Sequence, residues 1–356
     1  MKFKLIILLL FISTLTIAQH NEALKDSFSK IENNLYIEDH KKQLNIKFDV
    51  SNDVENYYLS FDENDVNIAP NQNIRYALDF NYKFASVRLG LRVPISNSQK
   101  EDKGDTYVFR FKVKLLFDKW SHQFEYNYVR GYYIKNSKNL LNDDFQNHIQ
   151  FPRFKTYIFS GTTAYKFNDK FSLRAIASQT EIQIKSAGSF MPSINYWVYN
   201  ITGTQKFINT LGETIEREKY NDYKGFSSTV NAGYYYTFVY KKYWYAHAYV
   251  SPGIGLDFYQ VETFNPNENF SRSYNNMILS LQNGIALGYN SKKYYFGLEY
   301  NNISTNENNY KDDFQFSTSR NIFHVFIGYR FKAPNIVKKP IDQIQEKVPI
   351  LNDNYK

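Results

Sequence analysis

Residues 229–258 read TVNAGYYYTFVYKKYWYAHAYVSPGIGLDF. Val230, Ala232, Tyr234, Tyr236, Phe238 and Tyr240 alternate with Thr229, Asn231, Gly233, Tyr235 and Thr237. After Lys241-Lys242 the alternation resumes. Trp244, Ala246, Ala248, Val250, Ile254, Leu256 and Phe258 share one face; Tyr245, His247, Tyr249, Ser251 and Asp257 share the other. Successive side chains of a strand point to opposite sides, so this stretch predicts a β-hairpin with one apolar and one polar face. The same period recurs on both sides of it. In 73–84, Arg75, Asp79 and Lys83 oppose an Ile, Leu and aromatic face, and in 86–93 Arg88 and Arg92 oppose Val and Leu. In 106–117, Arg110, Lys112 and Lys114 oppose six apolar residues, and in 120–134 Glu125 opposes Phe124, Tyr126 and Tyr128. Segments 294–301 and 320–331 place Glu299 and Arg330 opposite further apolar faces.

A soluble sandwich and a barrel in lipid both alternate in this way. Composition separates them. The chain is polar on average, yet 18% of it is Phe, Tyr or Trp, and the apolar faces carry aromatics near their ends, as membrane girdles do. Lys2 and Lys4, the apolar run Leu5–Ile17, and Thr16 and Ala18 read as a signal peptide over 1–18. No cysteine occurs, which excludes a disulfide framework and thiolate metal sites. The formal charge of +8 is modest for this length, and an exported chain has no nucleic acid to meet. The last strand ends on Phe331, an aromatic, as outer-membrane barrels commonly do.

Connection lengths set the topology. Tight connections fall at Phe84-Ala85, Asp118-Lys119, Asn168-Asp169, Lys241-Lys242 and Ser291-Lys292, and long polar ones lie between them. Bacterial barrels have short periplasmic turns and long outer loops. The pattern predicts an all-β fold, a transmembrane antiparallel up-and-down barrel of twelve strands. The strands fall at roughly 55–62, 73–84, 85–93, 105–117, 120–134, 154–167, 170–186, 226–240, 243–258, 275–290, 293–303 and 319–331. Fourteen strands, recruiting 43–50 and 190–203, is the alternative. The expected divisions are signal peptide 1–18, periplasmic lead-in 19–54, barrel 55–331 and a flexible periplasmic tail 332–356. On the twelve-strand reading, 187–225 is the largest outer loop. Strand seven swaps its apolar face near Ala177, which a β-bulge explains, as does an exit from the membrane by Gln179.

The run FPRFKTYIFSGTTAYKFNDKFSLRAIASQTEIQIKSAGSF, residues 151–190, resembles the signature region of the "domain of unknown function 4421" family of bacterial outer-membrane proteins. Phe151-Pro152 and Phe167–Ser172 carry the likeness, with Gln179 and Gln183 ahead of Lys185-Ser186-Ala187-Gly188-Ser189-Phe190. The resemblance implies a Gram-negative outer-membrane barrel of undefined role, and the even strand count places both termini in the periplasm. It supplies no catalytic or binding residue.

No enzyme site is legible. The six histidines form no pair at metal-ligand spacing, and Ser121 and His122 are strand neighbours that point apart. No catalytic residue, metal or cofactor is therefore expected. The remaining signal is the lumen, where Arg75, Lys83, Arg88, Arg92, Arg110, Lys112 and Lys114 with Glu125 predict a basic wall. Tyr245, His247, Asp257, Glu299 and Arg330 belong to the later, tyrosine-rich wall. This pattern points to a porin-like narrow channel or binding lumen for small polar or anionic solutes. A non-conducting structural or surface-interaction barrel is the alternative, and a lipid-modifying enzyme the weakest. The partners implied are outer-membrane lipid, the barrel-assembly machinery and a small solute.

Overall fold

The structure is a computed structural model that describes residues 35–61, 64–71, 74–91, 95–137, 147–202, 206–208, 214–216, 220–264, 270–308 and 314–347. Among these residues, twelve antiparallel strands close on themselves. They are β1 (Gln43–Phe61), β2 (Ile74–Tyr82), β3 (Ala85–Leu91), β4 (Tyr107–Leu116), β5 (Trp120–Ile134) and β6 (Gln150–Tyr165), followed by β7 (Ala187–Thr202), β8 (Tyr220–Tyr240), β9 (Trp244–Phe264), β10 (Phe270–Asn290), β11 (Tyr294–Asn308) and β12 (Phe314–Lys332). Each pairs with its sequence neighbours, and β12 closes the ring on β1 from Phe314↔Phe61 to Lys332↔Gln43. Closure matters because hydrocarbon offers no hydrogen bonds to an open sheet edge. The tight turns after β2, β4, β8 and β10 gather at one end with Gln43 and Lys332, here called the turn end. The opposite, loop end carries the longer connections.

The exterior is that of a membrane protein. Phe238, Ile285, Leu287 and Ile327 are each more than half exposed, and Val230, Val250 and Ile254 join them. A soluble domain does not present such a continuous apolar belt to water. Aromatics collect on it near the turn end, where Trp244 meets Tyr289 at 5.1 Å and Tyr294 meets Tyr329 at 4.9 Å. The interior is the reverse. Asn45, Lys47, Asp49, Asp53, Arg75, Asp79, Glu125, Asn195, Asn231 and His247 are all buried.

Strand count and class agree with the sequence reading, but one strand is different. Residues 170–186 do not cross the membrane; β7, 187–202, does so instead, and the total stays at twelve. The expected 187–225 loop therefore shrinks to the connection between β7 and β8. The face swap near Ala177 is neither a bulge nor a membrane exit. It arises from a one-turn helix, α1 (Arg174–Ala177), followed by Gln179 at φ +51°. Alternating apolar residues at 171, 173, 175 and 177 mimic a strand there, while Pro192 inside β7 reads as a breaker. Ser186-Ala187-Gly188-Ser189, which a spanning strand over 170–186 would carry to the outer loops, accordingly lies at the turn end.

The barrel also begins earlier than residue 55. Leu44, Ile46 and Phe48 alternate with Asn45, Lys47 and Asp49, but the polar face of this half-strand resembles a solvated lead-in until β12 pairs with it. In the expected tail, α2 (Asn335–Lys347) forms a helix, with Val337, Ile341 and Ile344 at helical spacing. Lys83 Nζ binds Asp342 at 2.7 Å and so ties α2 to the β2–β3 turn. The signal peptide, residues 19–34 of the lead-in and 348–356 of the tail lie outside the described residues.

Tyrosines inside the barrel lie across glycines. Tyr199 faces Gly225, Tyr245 faces Gly288, Tyr249 faces Gly284 and Tyr295 faces Gly328, each as a direct cross-strand pair. A Cβ on any of these glycines would overlap the opposing ring. Aromatic rings laid over strand glycines pin register. Gly328→Val should therefore displace the fully buried Tyr295, at a cost of about 3 kcal/mol. Fewer molecules should then hold the compact form that resists unheated SDS; an unchanged fraction would contradict this packing.

Candidate functional site

The lumen holds a cavity of about 290 Å³, lined among the described residues by seven Lys or Arg side chains and four Asp or Glu. Its charged wall spans β1 to β5 and β12. Asp53 accepts hydrogen bonds from Arg75 at 3.2 Å, from Arg320 at 2.9 and 3.0 Å, and from Arg110. Glu125 is gripped by Arg320 at 2.9 Å and by Lys112 at 2.7 Å. Asp79 meets Lys47 at 3.0 Å and Arg88 at 3.4 Å, while Asp49 takes Arg88 and, at 3.0 Å, His324. Charges removed from water persist when neighbours of opposite sign satisfy them, and this wall is built that way.

Among the described residues, the facing wall over β7 to β10 contributes no Lys, Arg, Asp or Glu to the cavity lining. The rings of Tyr235 and Tyr249 stack at 4.8 Å with 4° between planes. Asn195 donates to Asn231 Oδ1 at 2.8 Å, and the same oxygen accepts from Thr229 at 2.8 Å. His247 pairs with the Thr237 hydroxyl at 3.0 Å.

Of the residues expected to line the lumen, Arg75, Arg88, Arg110, Lys112, Lys114, Glu125, His247 and Glu299 do line the cavity. Tyr245 is buried below it against Ile176 and Ala286. Asp257 lies on another part of β9, accepting from Ser227 and Tyr199. Lys83 is outside, in the β2–β3 turn, and Arg92 falls outside the described residues. Arg330 faces inward but holds the segment beneath the cavity. Lys47, Asp53 and Arg320 were missed: the first two sit in the misread half-strand, and Arg320 lies at the start of the last one. Extending the 43–61 alternation would have found Lys47 and Asp53.

That lower segment, 166–186, is a plug. Leu173, Ile176 and Ala177 form part of the cavity lining. Phe171 is fully buried against Ala164, Ala187 and Met191. The barrel supplies donors to the plug's carbonyls. Arg330 Nε donates to Gln179 O at 3.0 Å, Asn45 to Ser178 O at 2.8 Å, Asn290 to Glu181 O at 3.1 Å and Lys114 to Ala177 O at 3.2 Å. These bonds replace the solvent that an irregular segment would otherwise need. Inside the plug, Ser172 Oγ accepts from Ala175 N at 2.9 Å and donates to Glu181 at 2.6 Å. Gln183 accepts from Ser172 N at 2.7 Å and donates to Lys170 O at 2.7 Å. Ile37–Asp39 pairs with Glu181–Gln183 as a two-stranded sheet. The motif residues Gln179, Gln183, Lys185 and Ser186 thus end the plug, and Ala187, Gly188, Ser189 and Phe190 begin β7. Asn168 Nδ2 donates to Gly188 O at 2.6 Å and joins the two.

Arg174 crosses from the plug to the wall. It binds Glu181 at 3.0 Å and Asp118 at 3.3 Å, and donates to Leu116 O at 3.0 Å. Burial pulls the Glu181 carboxyl upward, but Arg174, then Lys41 and the Ser172 hydroxyl outweigh it and hold it below the usual carboxylate range. A depressed native pKa contributes stability above the unfolded value of 4.5, and this is lost as pH falls through the native one. Arg174→Ala leaves Glu181 buried without its guanidinium and should loosen the plug by about 3–5 kcal/mol. Hydrogen exchange of the 172–183 amides should rise in that variant at pH 7. In the wild type it should rise only below about pH 4.5, after correction for intrinsic exchange. Protection unchanged in both would refute the ion pair's role.

The family model described as "Domain of unknown function (DUF4421)" matches residues 25–331. No curated protein matches the sequence. Among solved structures, the chain is similar to the outer membrane protease OmpT of Escherichia coli, with 9% identity, 82% of this chain and 97% of that one covered, and a TM-score of 0.40. The translocator domain of the autotransporter NalP from Neisseria meningitidis gives 10% identity, 86% and 95% coverage, and 0.37. The Pseudomonas putida toluene transporter TodX gives 8% identity, 82% and 90% coverage, and 0.33. Likenesses this distant transfer no residue role and no substrate. The family match spans most of the sequence and includes the plug and eleven whole strands, and the chain belongs to the DUF4421 family.

Proposed function

We propose that this chain is a non-enzymatic outer-membrane barrel whose lumen binds small anionic or polar solutes, with the turn end and both termini in the periplasm. The excess of Lys and Arg over Asp and Glu around the cavity carries this reading. Like charges ringing a pore select ions of the opposite sign. A twelve-stranded barrel is narrower than the open porins of 16–18 strands, and the plug narrows it further at the turn end. Binding is therefore the resting activity, and passage requires the plug to move. The non-conducting alternative draws support from the same plug and from the density of ion pairs on the charged wall.

Planar-bilayer recordings separate the two readings. The wild type should stay closed in neutral KCl. Replacing Ser172–Gln183 with a Gly-Ser linker should give a sustained, anion-selective conductance, once the variant is shown to retain SDS resistance. A folded variant that remains closed would favour the structural barrel, and cation selectivity would refute the anionic reading.

A further inference from the structure

Two charges in the cavity stand apart from the ion-pair network. Lys47, Arg75, Arg88, Arg110, Lys112 and Arg320 each contact an acid within 3.4 Å. Lys114 does not: its only hydrogen bond among the described residues runs to Ala177 O of the plug, at 3.2 Å. Glu299 is the matching case. The other acids lining the cavity, Asp53, Asp79 and Glu125, are all held by cations. Among the described residues, Glu299 accepts only from Asn301 Nδ2, at 2.7 Å. Lys47 and His324 act on Glu299 through space, but each is committed to its own partner at 3.0 Å, Asp79 and Asp49 respectively. Lys114 and Glu299 line the same cavity and form no ion pair with each other within 4.0 Å.

Glu299 is also oriented. Asn301, which donates to it, accepts at Oδ1 from the Tyr249 hydroxyl at 3.0 Å. The chain Tyr249–Asn301–Glu299 thus joins the carboxylate to the stacked Tyr235–Tyr249 pair, whose rings also line the cavity. The site presents a lysine amine, a carboxylate and an aromatic face around a space at the small end of ligand pockets, which run to about 300–1,000 Å³.

We propose that the cavity takes a zwitterionic α-amino acid with an apolar or aromatic side chain, its carboxylate on Lys114, its ammonium on Glu299 and its side chain against Tyr235 and Tyr249. This rests on the lumen being a solute site, and it names the solute class. Each end then gains a charge-assisted hydrogen bond of about 2.8 Å, which neither protein group has in the ion-pair network.

Calorimetry on the purified full chain in detergent tests this with three probes of one size: L-phenylalanine, 3-phenylpropionate, which lacks the ammonium, and phenethylamine, which lacks the carboxylate. L-phenylalanine should bind about tenfold or more tightly than either analogue. Glu299→Gln should abolish the preference over 3-phenylpropionate, and Lys114→Met the preference over phenethylamine. If 3-phenylpropionate binds the wild type as well as L-phenylalanine does, the zwitterion assignment is overturned while the anionic lumen stands. If phenethylamine binds as well, the role of Lys114 is overturned. If none of the three binds, the amino-acid assignment falls, and the bilayer recordings of the linker variant decide the solute-binding reading separately. The wild-type comparison decides these cases even if a variant does not fold.

Discussion

A sheet in hydrocarbon must leave no backbone group unpaired, and that constraint organises the whole molecule. Pairing β12 with β1 satisfies it and forces the rest. Apolar side chains go outward, so charged and amide side chains fill a space that water only partly reaches. Those charges then have to satisfy one another. Asp53 sits among Arg75, Arg110 and Arg320 because a lone guanidinium in such a space is costly, and three guanidinia around one carboxylate still leave positive charge for Glu125 to balance. The surplus of cations over acids around the cavity is what remains after this mutual neutralisation.

The plug is a second consequence. Its 166–186 backbone is irregular, and irregular backbone at this depth survives only where protein groups satisfy it. Arg330, Asn45, Asn290 and Lys114 do so from four different strands. The wall therefore holds the plug's backbone from several sides at once. Lys114 serves both, since the amine that touches the plug also lines the cavity.

The legibility of the fold followed the visibility of period two. Residues 229–258 alternate on both sides of Lys241-Lys242, and the hairpin they predict is β8–β9. Residues 170–186 alternate by coincidence of Phe171, Leu173, Ala175 and Ala177, and only the face swap at Ala177 hinted at a helical turn. Residues 43–54 alternate clearly, but one face is Asn, Lys, Asp and Ser, and nothing local distinguishes a wet lumen from bulk solvent. The candidate site was half legible for the same reason. Arg88, Lys112, Lys114 and Glu299 lie on strands with strong apolar faces, whereas Lys47 and Asp53 lie on the weak one. Pairing was legible only across tight turns, as for Asp79 with Arg88 and Lys112 with Glu125, because the remaining contacts run between strands as distant in sequence as β1 and β12.

The central claim is that 170–186 fills the lumen instead of crossing the membrane. The chain has no cysteine, so an introduced pair reports without background. Ile176 of the plug and Ala286 of β10 belong to one buried cluster. In the assembled barrel, the double variant Ile176→Cys with Ala286→Cys should form an intramolecular disulfide in high yield, seen as a shift in mobility on reduction. Failure to cross-link in a folded barrel, with the thiol introduced at position 176 instead labelled by a membrane-confined reagent, would contradict the plug and restore a spanning strand.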